Sequence, residues 1–258
     1  KVALDQYEHS RERLWEEIGV DPDPETAELA RRLEELKAET GGGIAWDEIV
    51  GAQLERPEAD QLAEPGALPP DSYLPYQRNT DFTGRTDSLR HLADLVLPGA
   101  GGDADAKRPG AVAITGMGGM GKTQLTVEFI YRYGRYFPGG VYWISFAQAD
   151  DVAGEVALIG GERGMGLYKD ADQLTLADQV GRVQKAWQEA VPRLLIFDNC
   201  EEEALLAKWL PKTGGCRVLL TSRRGRWARD LGVAQWPLPV LDLPESVGFL
   251  RTLVPELD

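Results

Sequence analysis

An α/β fold is predicted for this chain of 258 residues: a parallel sheet between two helical layers, with an all-α segment ahead of it. Two patterns carry the prediction. Short apolar runs recur at Ala111–Thr115, Gly140–Phe146, Arg193–Asp198 and Arg217–Thr221, with a fifth candidate at Val233–Trp236, and helical or irregular stretches separate them. Strands separated in this way need long crossovers, which pack back onto a parallel sheet and cover both its faces. The second pattern is Gly116-Met117-Gly118-Gly119-Met120-Gly121-Lys122-Thr123, directly after the first run and directly before a helical stretch.

In chain order, Leu4, Tyr7, Leu14, Trp15 and Ile18 fall at helical spacing, and Gly19 supplies a C-terminal cap. Asp21-Pro22-Asp23-Pro24 breaks the chain. Asp23 as N-cap with Pro24 at the first helical position starts a second helix, whose stripe Leu29, Leu33, Leu36 ends before Gly41-Gly42-Gly43. The two form a helical hairpin, and a short third helix over Ile44–Leu54 completes a separate module of residues 1–54. From Arg56 to Tyr76 there are five prolines and little periodicity, so residues 55–77 read as an extended linker. The α/β domain is expected over residues 78–243, with a mobile surface loop at Pro98–Gly110. Leu241-Asp242-Leu243-Pro244-Glu245-Ser246 enters another helix, so residues 244–258 are expected to begin a following helical domain. Lys1 stands within a helical pattern where a start methionine would be expected, which suggests a piece of a longer polypeptide.

The formal net charge is −14, from 42 acidic and 28 basic side chains, and this argues against a chain that grips nucleic acid by itself. Most of the imbalance lies in residues 1–64, where a solvated helical surface is the preferred explanation over an acidic docking face. No run is long and apolar enough to span a bilayer, and no secretory signal opens the chain. Cys200 and Cys216 lack metal-ligand spacing and read as small buried residues near strand ends, without a disulfide, which suits a reducing cytoplasm.

The glycine-rich stretch matches GxxxxGK[ST], the pattern of a loop that cradles phosphates. Glycines accept positive φ and carry no side chain, so successive backbone N–H groups can close around phosphate oxygens at the mouth of the next helix. Gly116, Met117, Gly118, Gly119, Met120, Gly121 and Gln124 are therefore binding candidates. Lys122 adds charge for the outer phosphates, and Thr123 offers a hydroxyl to Mg²⁺. The helix that follows shows Leu125, Phe129 and Ile130 on one face. The expected ligand is a nucleoside triphosphate or diphosphate.

Leu194-Leu195-Ile196-Phe197-Asp198 is an apolar strand ending in an acid, which brings the Asp198 carboxylate to the same metal. Asn199 stands where a hydrolytic ATPase commonly has a second acid to activate water, and an amide cannot accept that proton. Fast turnover is not expected. Glu201 and Glu202 read as the start of the next helix, with recruitment of either one as the base the alternative. Arg223, just after the strand Leu219-Leu220-Thr221-Ser222, can reach toward a γ-phosphate and act as its sensor.

Phe82-Thr83-Gly84-Arg85, the phosphate loop, Phe137-Pro138-Gly139-Gly140-Val141-Tyr142-Trp143-Ile144, Leu195-Ile196-Phe197-Asp198-Asn199 and Thr221-Ser222-Arg223 together resemble the nucleotide-binding core of the NB-ARC family of STAND P-loop NTPases. The resemblance implies a three-layer fold, adenine nucleotide (ATP or ADP) with Mg²⁺, and Phe82 and Arg85 near the base and adjacent phosphates. It also implies a switch in which ADP holds a closed monomer, ATP opens it, opened molecules self-associate, and slow hydrolysis resets the state. Thr86 departs from the acid often found after Gly-Arg, although Asp87 follows. Neither His9 nor His91 stands where the family's ADP-sensing histidine would fall.

The segment from Leu4 to Thr26, with Leu14-Trp15-Glu16-Glu17-Ile18-Gly19 at its centre, resembles the end of a bacterial transcriptional activator domain of large antibiotic-regulatory proteins. That resemblance implies a cytoplasmic regulator that contacts DNA only through a domain upstream of residue 1. A defence or death-effector protein using the same switch is the alternative, and an autonomous ATPase is a third reading.

Overall fold

The computed structural model describes residues 61–97 and 110–253. The helical hairpin, its third helix and nearly all of the expected surface loop at 98–110 lie outside the described residues. Contacts divide the chain into two units, Lys1–Glu55 and Arg56–Asp258.

The second unit holds five strands, β1 (Ala111–Thr115), β2 (Val141–Ser145), β3 (Arg193–Asp198), β4 (Cys216–Ser222) and β5 (Val233–Pro237). They form one sheet in the order β2-β3-β4-β1-β5, and every pairing is parallel. Six helices accompany them among the described residues: α1 (Thr86–Val96), α2 (Lys122–Tyr133), α3 (Val152–Gly160), α4 (Leu176–Trp187), α5 (Glu203–Trp209) and α6 (Leu243–Leu253). The expected parallel α/β sheet with flanking helices is the one observed. β1, β3 and β4 are buried along almost their whole length because both faces of the sheet are covered. Ala111, Ala113, Ile144, Leu195, Phe197 and Leu220 pack against Val156 and Ile159 of α3, Val183 and Trp187 of α4, and Leu206 of α5. α1 packs against α2, β1 and β4, and α2 packs against β4.

Because the strands are parallel, their C-terminal ends share one edge of the sheet, where a ligand crevice forms in such folds. β4 lies between β1 and β3. Thr115 leads into the phosphate loop, and Asp198 and Ser222 close β3 and β4 at that same edge.

The helix after the loop is enclosed further than one apolar stripe would require. Besides Leu125, Phe129 and Ile130, it buries Thr126, Val127 and Glu128. The reason lies in the stretch read as a linker. From residue 61 it is extended and laid as a strap along α2 and the sheet edge. Gly66 N donates to Tyr131 O at 2.9 Å, and Arg132 Nη1 donates to Ala63 O at 2.9 Å. Tyr73 pairs with β2, its N donating to Val141 O at 2.8 Å while its carbonyl accepts from Trp143 N at 2.9 Å. Glu128, 1% exposed, is bonded by Arg78 through Nε and Nη2, both at 2.9 Å, and by Arg132 Nε at 2.7 Å. Prolines and missing periodicity signalled an extended backbone. They carried no signal of what that backbone packs on.

Candidate functional site: a phosphate cradle at the strand ends

The loop between β1 and α2 has the conformation its glycines permit. Gly116, Gly119 and Gly121 have φ of 149°, 81° and 86°. A Cβ added at Gly119 or Gly121 would meet nothing within 4 Å, so the backbone conformation, and not crowding, demands glycine there. The same emptiness leaves room for a ligand against the loop. α2 begins without a side-chain cap and without an acid in its first turn, so its leading N–H groups and positive dipole end stay available to an anion.

Gly118, Gly119, Gly121, Lys122, Thr123 and Gln124 line a cavity of about 680 Å³, a size suited to a small-molecule ligand. Asp198, Asn199 and Arg223 line it from the strand ends. Lys122 Nζ donates to the carbonyls of Gly116 at 2.7 Å and Met117 at 2.8 Å, which folds its charge over the loop. Burial lowers its pKa, as does the Arg223 charge, while Glu201 and Asp198 pull the other way.

Thr123 and Asp198 meet, with Thr123 Oγ1 donating to Asp198 Oδ1 at 3.3 Å. A hydroxyl beside a single carboxylate fits Mg²⁺ that completes its shell with phosphate oxygens and water. It does not fit a metal held by protein alone, and no cluster of three or more acidic, histidine or cysteine ligands occurs among the described residues. The donor set therefore suits a metal that arrives with its nucleotide.

Asn199 has φ of 60°, a left-handed conformation that asparagine tolerates better than most residues, and its N donates to Thr221 Oγ1 at 2.9 Å. Glu201 and Glu202 do not begin the next helix. α5 starts at Glu203 with Glu202 as its N-cap, which leaves Glu201 in the turn. There its carboxylate accepts from Arg223 N at 2.9 Å and Arg223 Nε at 3.2 Å. Burial pushes the Glu201 carboxyl up, but the bonds from Arg223 and Ser222 outweigh it and hold the group below its ordinary range.

The remaining candidates lie away from this lining. Met117 is 76% exposed, and Met120 sets its sulfur 3.0 Å from the Cβ position of Gly116. Gly116 N donates to Ser222 O at 3.2 Å, tying the loop to β4. Phe82 is half-buried in a turn, its N donating to Asn79 O at 3.3 Å. Arg85 is buried at φ of 63° and donates to the carbonyls of Met120 and Pro239, so its guanidinium is bound to the loop's backbone. Its N donates to Glu245 Oε1 at 2.5 Å.

Sequence reasoning missed several contributors, Tyr76 and Thr221 among them. Tyr76, within the strap, lines the cavity and packs edge-on against Trp143 with ring centroids 4.9 Å apart. Burial raises its pKa, and Asp198 and Glu155 add to the effect. Aromatics crowded among prolines in Pro69-Pro70-Asp71-Ser72-Tyr73-Leu74-Pro75-Tyr76 were the available signal. Thr221 was read only as part of a strand end, yet its hydroxyl donates to Asp198 Oδ1 at 2.6 Å.

A parallel sheet of this order with a glycine cradle between its first strand and helix defines a P-loop NTPase-type nucleotide-binding domain. The NB-ARC domain matches residues 103–240, more than half of the chain, and the protein belongs to that family. It is similar to Regulatory protein AfsR of Streptomyces griseus, 31% identical over 223 residues (86% of this chain, 21% of the relative). With Regulatory protein AfsR of Streptomyces coelicolor the identity is 30% over 256 residues (98% of this chain, 24% of the relative). A nucleotide-binding leucine-rich repeat-like protein of Hyaloscypha variabilis is 31% identical over 164 residues, covering 60% of this chain and 16% of that protein. The chain thus spans less than a quarter of the AfsR relatives it matches. No helix among the described residues is long and apolar enough to cross a membrane.

Proposed function

We propose that this chain is the adenine-nucleotide switch of a multidomain bacterial transcriptional regulator. One observation carries the reading: Lys122, Thr123, Asp198 and Arg223 converge on a single cavity beside an uncapped helix start. The glycine loop and the first turn of α2 bind the phosphates, and Lys122 exchanges its two carbonyl partners for phosphate oxygens. Thr123 and Asp198 hold Mg²⁺, which neutralises charge on the outer phosphates. Arg223 detects the third phosphate, and Phe82 and Arg85 border the base. Similarity to AfsR over 86% and 98% of this chain supports a regulatory setting. DNA contact belongs to a domain upstream of residue 1, residues 1–54 stand in sequence between it and the switch, and nucleotide-dependent self-association in the cytoplasm follows.

Hydrolysis is slow or absent in this reading, because Asn199 cannot take a proton from water. Turnover of about 1 per second or faster, ordinary for competent enzymes, would favour an autonomous ATPase instead. Promoter binding by the full-length protein tests the regulatory role. Binding should change between ADP and ATP and lose that response in Lys122→Ala. Binding indifferent to both would contradict it. The similarity to the leucine-rich repeat-like protein supports a second reading, a defence protein with the same switch. A nuclease or protease domain upstream would decide for it, and a winged helix against it.

A further inference from the structure

Glu201 has no part in the reading above, yet its carboxylate is spent on one short segment of the cavity wall. Oε1 accepts from Arg223 N at 2.9 Å and from Arg223 Nε at 3.2 Å. Oε2 accepts from Arg223 N at 3.2 Å and from Ser222 Oγ at 3.2 Å. Arg223 borders the same cavity as Lys122, Thr123 and Asp198, but its guanidinium is turned onto this carboxylate. The arginine side chain is 66% exposed and the glutamate 27%. An arginine this open is held by its ion pair more than by packing, and a second anion can take it over.

We propose that Glu201 is a positioning residue that sets the preference between ADP and ATP by competing with the terminal phosphate for Arg223. The inference rests on the nucleotide reading above and adds to it a residue that no motif assigned. ADP lacks the third phosphate and leaves Arg223 on Glu201. A triphosphate must draw the guanidinium away, so part of the favourable contact it makes is offset by the ion pair it breaks. Glu201 thereby raises the concentration of ATP needed to displace ADP. The bonds from Arg223 N and Ser222 Oγ give the carboxylate a fixed base, so only the side-chain contact is exchanged.

The test is a double-mutant cycle on the 258-residue chain, read as dissociation constants for ADP and for a non-hydrolysable ATP analogue with Mg²⁺. Glu201→Gln keeps an oxygen to accept from Arg223 N and removes the charge. It should tighten binding of the ATP analogue by roughly three- to fivefold, as expected for an ion pair of this exposure. ADP affinity should stay as in the parent, which also reports that the variant is folded. In the Arg223→Ala background the same substitution should have no effect on the ratio. An unchanged ratio in Glu201→Gln alone overturns the proposal, and so does weaker binding of the ATP analogue. An equal gain in the Arg223→Ala background overturns it too, because the carboxylate would then be acting on phosphate directly. If the parent chain binds neither nucleotide, the nucleotide reading itself fails and the proposal falls with it.

Discussion

The Thr221 hydroxyl joins the ends of two strands: it donates to Asp198 Oδ1 at 2.6 Å and accepts from Asn199 N at 2.9 Å. One hydroxyl acting as donor and acceptor fixes the direction in which the carboxylate faces, and it can do so because β4 lies between β1 and β3. Thr221→Val keeps the shape and removes both bonds. Mg²⁺-dependent nucleotide affinity should fall by about 3- to 30-fold, the range for losing one or two hydrogen bonds at a charged group. Thr221→Ser should retain most of it. Calorimetric titration with and without Mg²⁺ reads the difference.

The Glu128 carboxylate, 1% exposed, anchors the strap through Arg78 and α2 through Arg132, whose side chains are 30% and 16% exposed. In Glu128→Ala the two arginines can regain water, so the loss is smaller than for stranding a buried charge. About 1–3 kcal/mol is expected, or a melting temperature lower by roughly 2–12 °C for a unit of this size. Thermal unfolding of the variant checks it.

That strap also bears on how far the sequence could be read. All five strands were placed within one residue at each end, four of them because β1, β2, β3 and β4 carry apolar runs buried along nearly their whole length. Thr123 and Asp198 were paired from motif alone, since the hydroxyl opens the helix after the phosphate loop and the acid closes an apolar strand. Thr221 and Tyr76 were not given roles, and Glu201 was read as a helix start, because each acts through neighbours far apart in sequence and near only in the fold. The extended strap shows the same limit. Its backbone bonds run to Tyr131, Val141 and Trp143, which no local pattern encodes. A chain begun at Arg78 should therefore melt lower than one begun at Arg56, and equal melting temperatures would count against the strap.

Glu201 gives the fold a pH dependence. Its carboxyl titrates below the ordinary value of 4.5 in the folded chain. The stabilisation is therefore present above the unfolded pKa and is lost as pH falls through the depressed folded one. Glu201→Gln should lower the melting temperature slightly at neutral pH, and the gap should close in acid below the ordinary glutamate range. A gap that widens in acid would contradict the sign.

Cys200 and Cys216 are free thiols at 0% and 7% exposure. Burial pushes both up to about 12. At pH 8 neither is a thiolate, and a thiol reagent should label them only after denaturation. Rapid labelling of the folded chain would show that the core opens more readily than its packing implies.

The central claim is that the loop at Gly116–Thr123 and the Asp198 carboxylate hold a nucleotide, and calorimetry of ADP and ATP with Mg²⁺ tests it most directly. Both adenine nucleotides should bind the parent chain better than guanine nucleotides. Lys122→Ala should weaken that binding by about 10- to 100-fold, as expected for losing charge-assisted contacts to phosphate. Adenine nucleotide binding unaffected by Lys122→Ala, or no binding by the parent, would contradict the account.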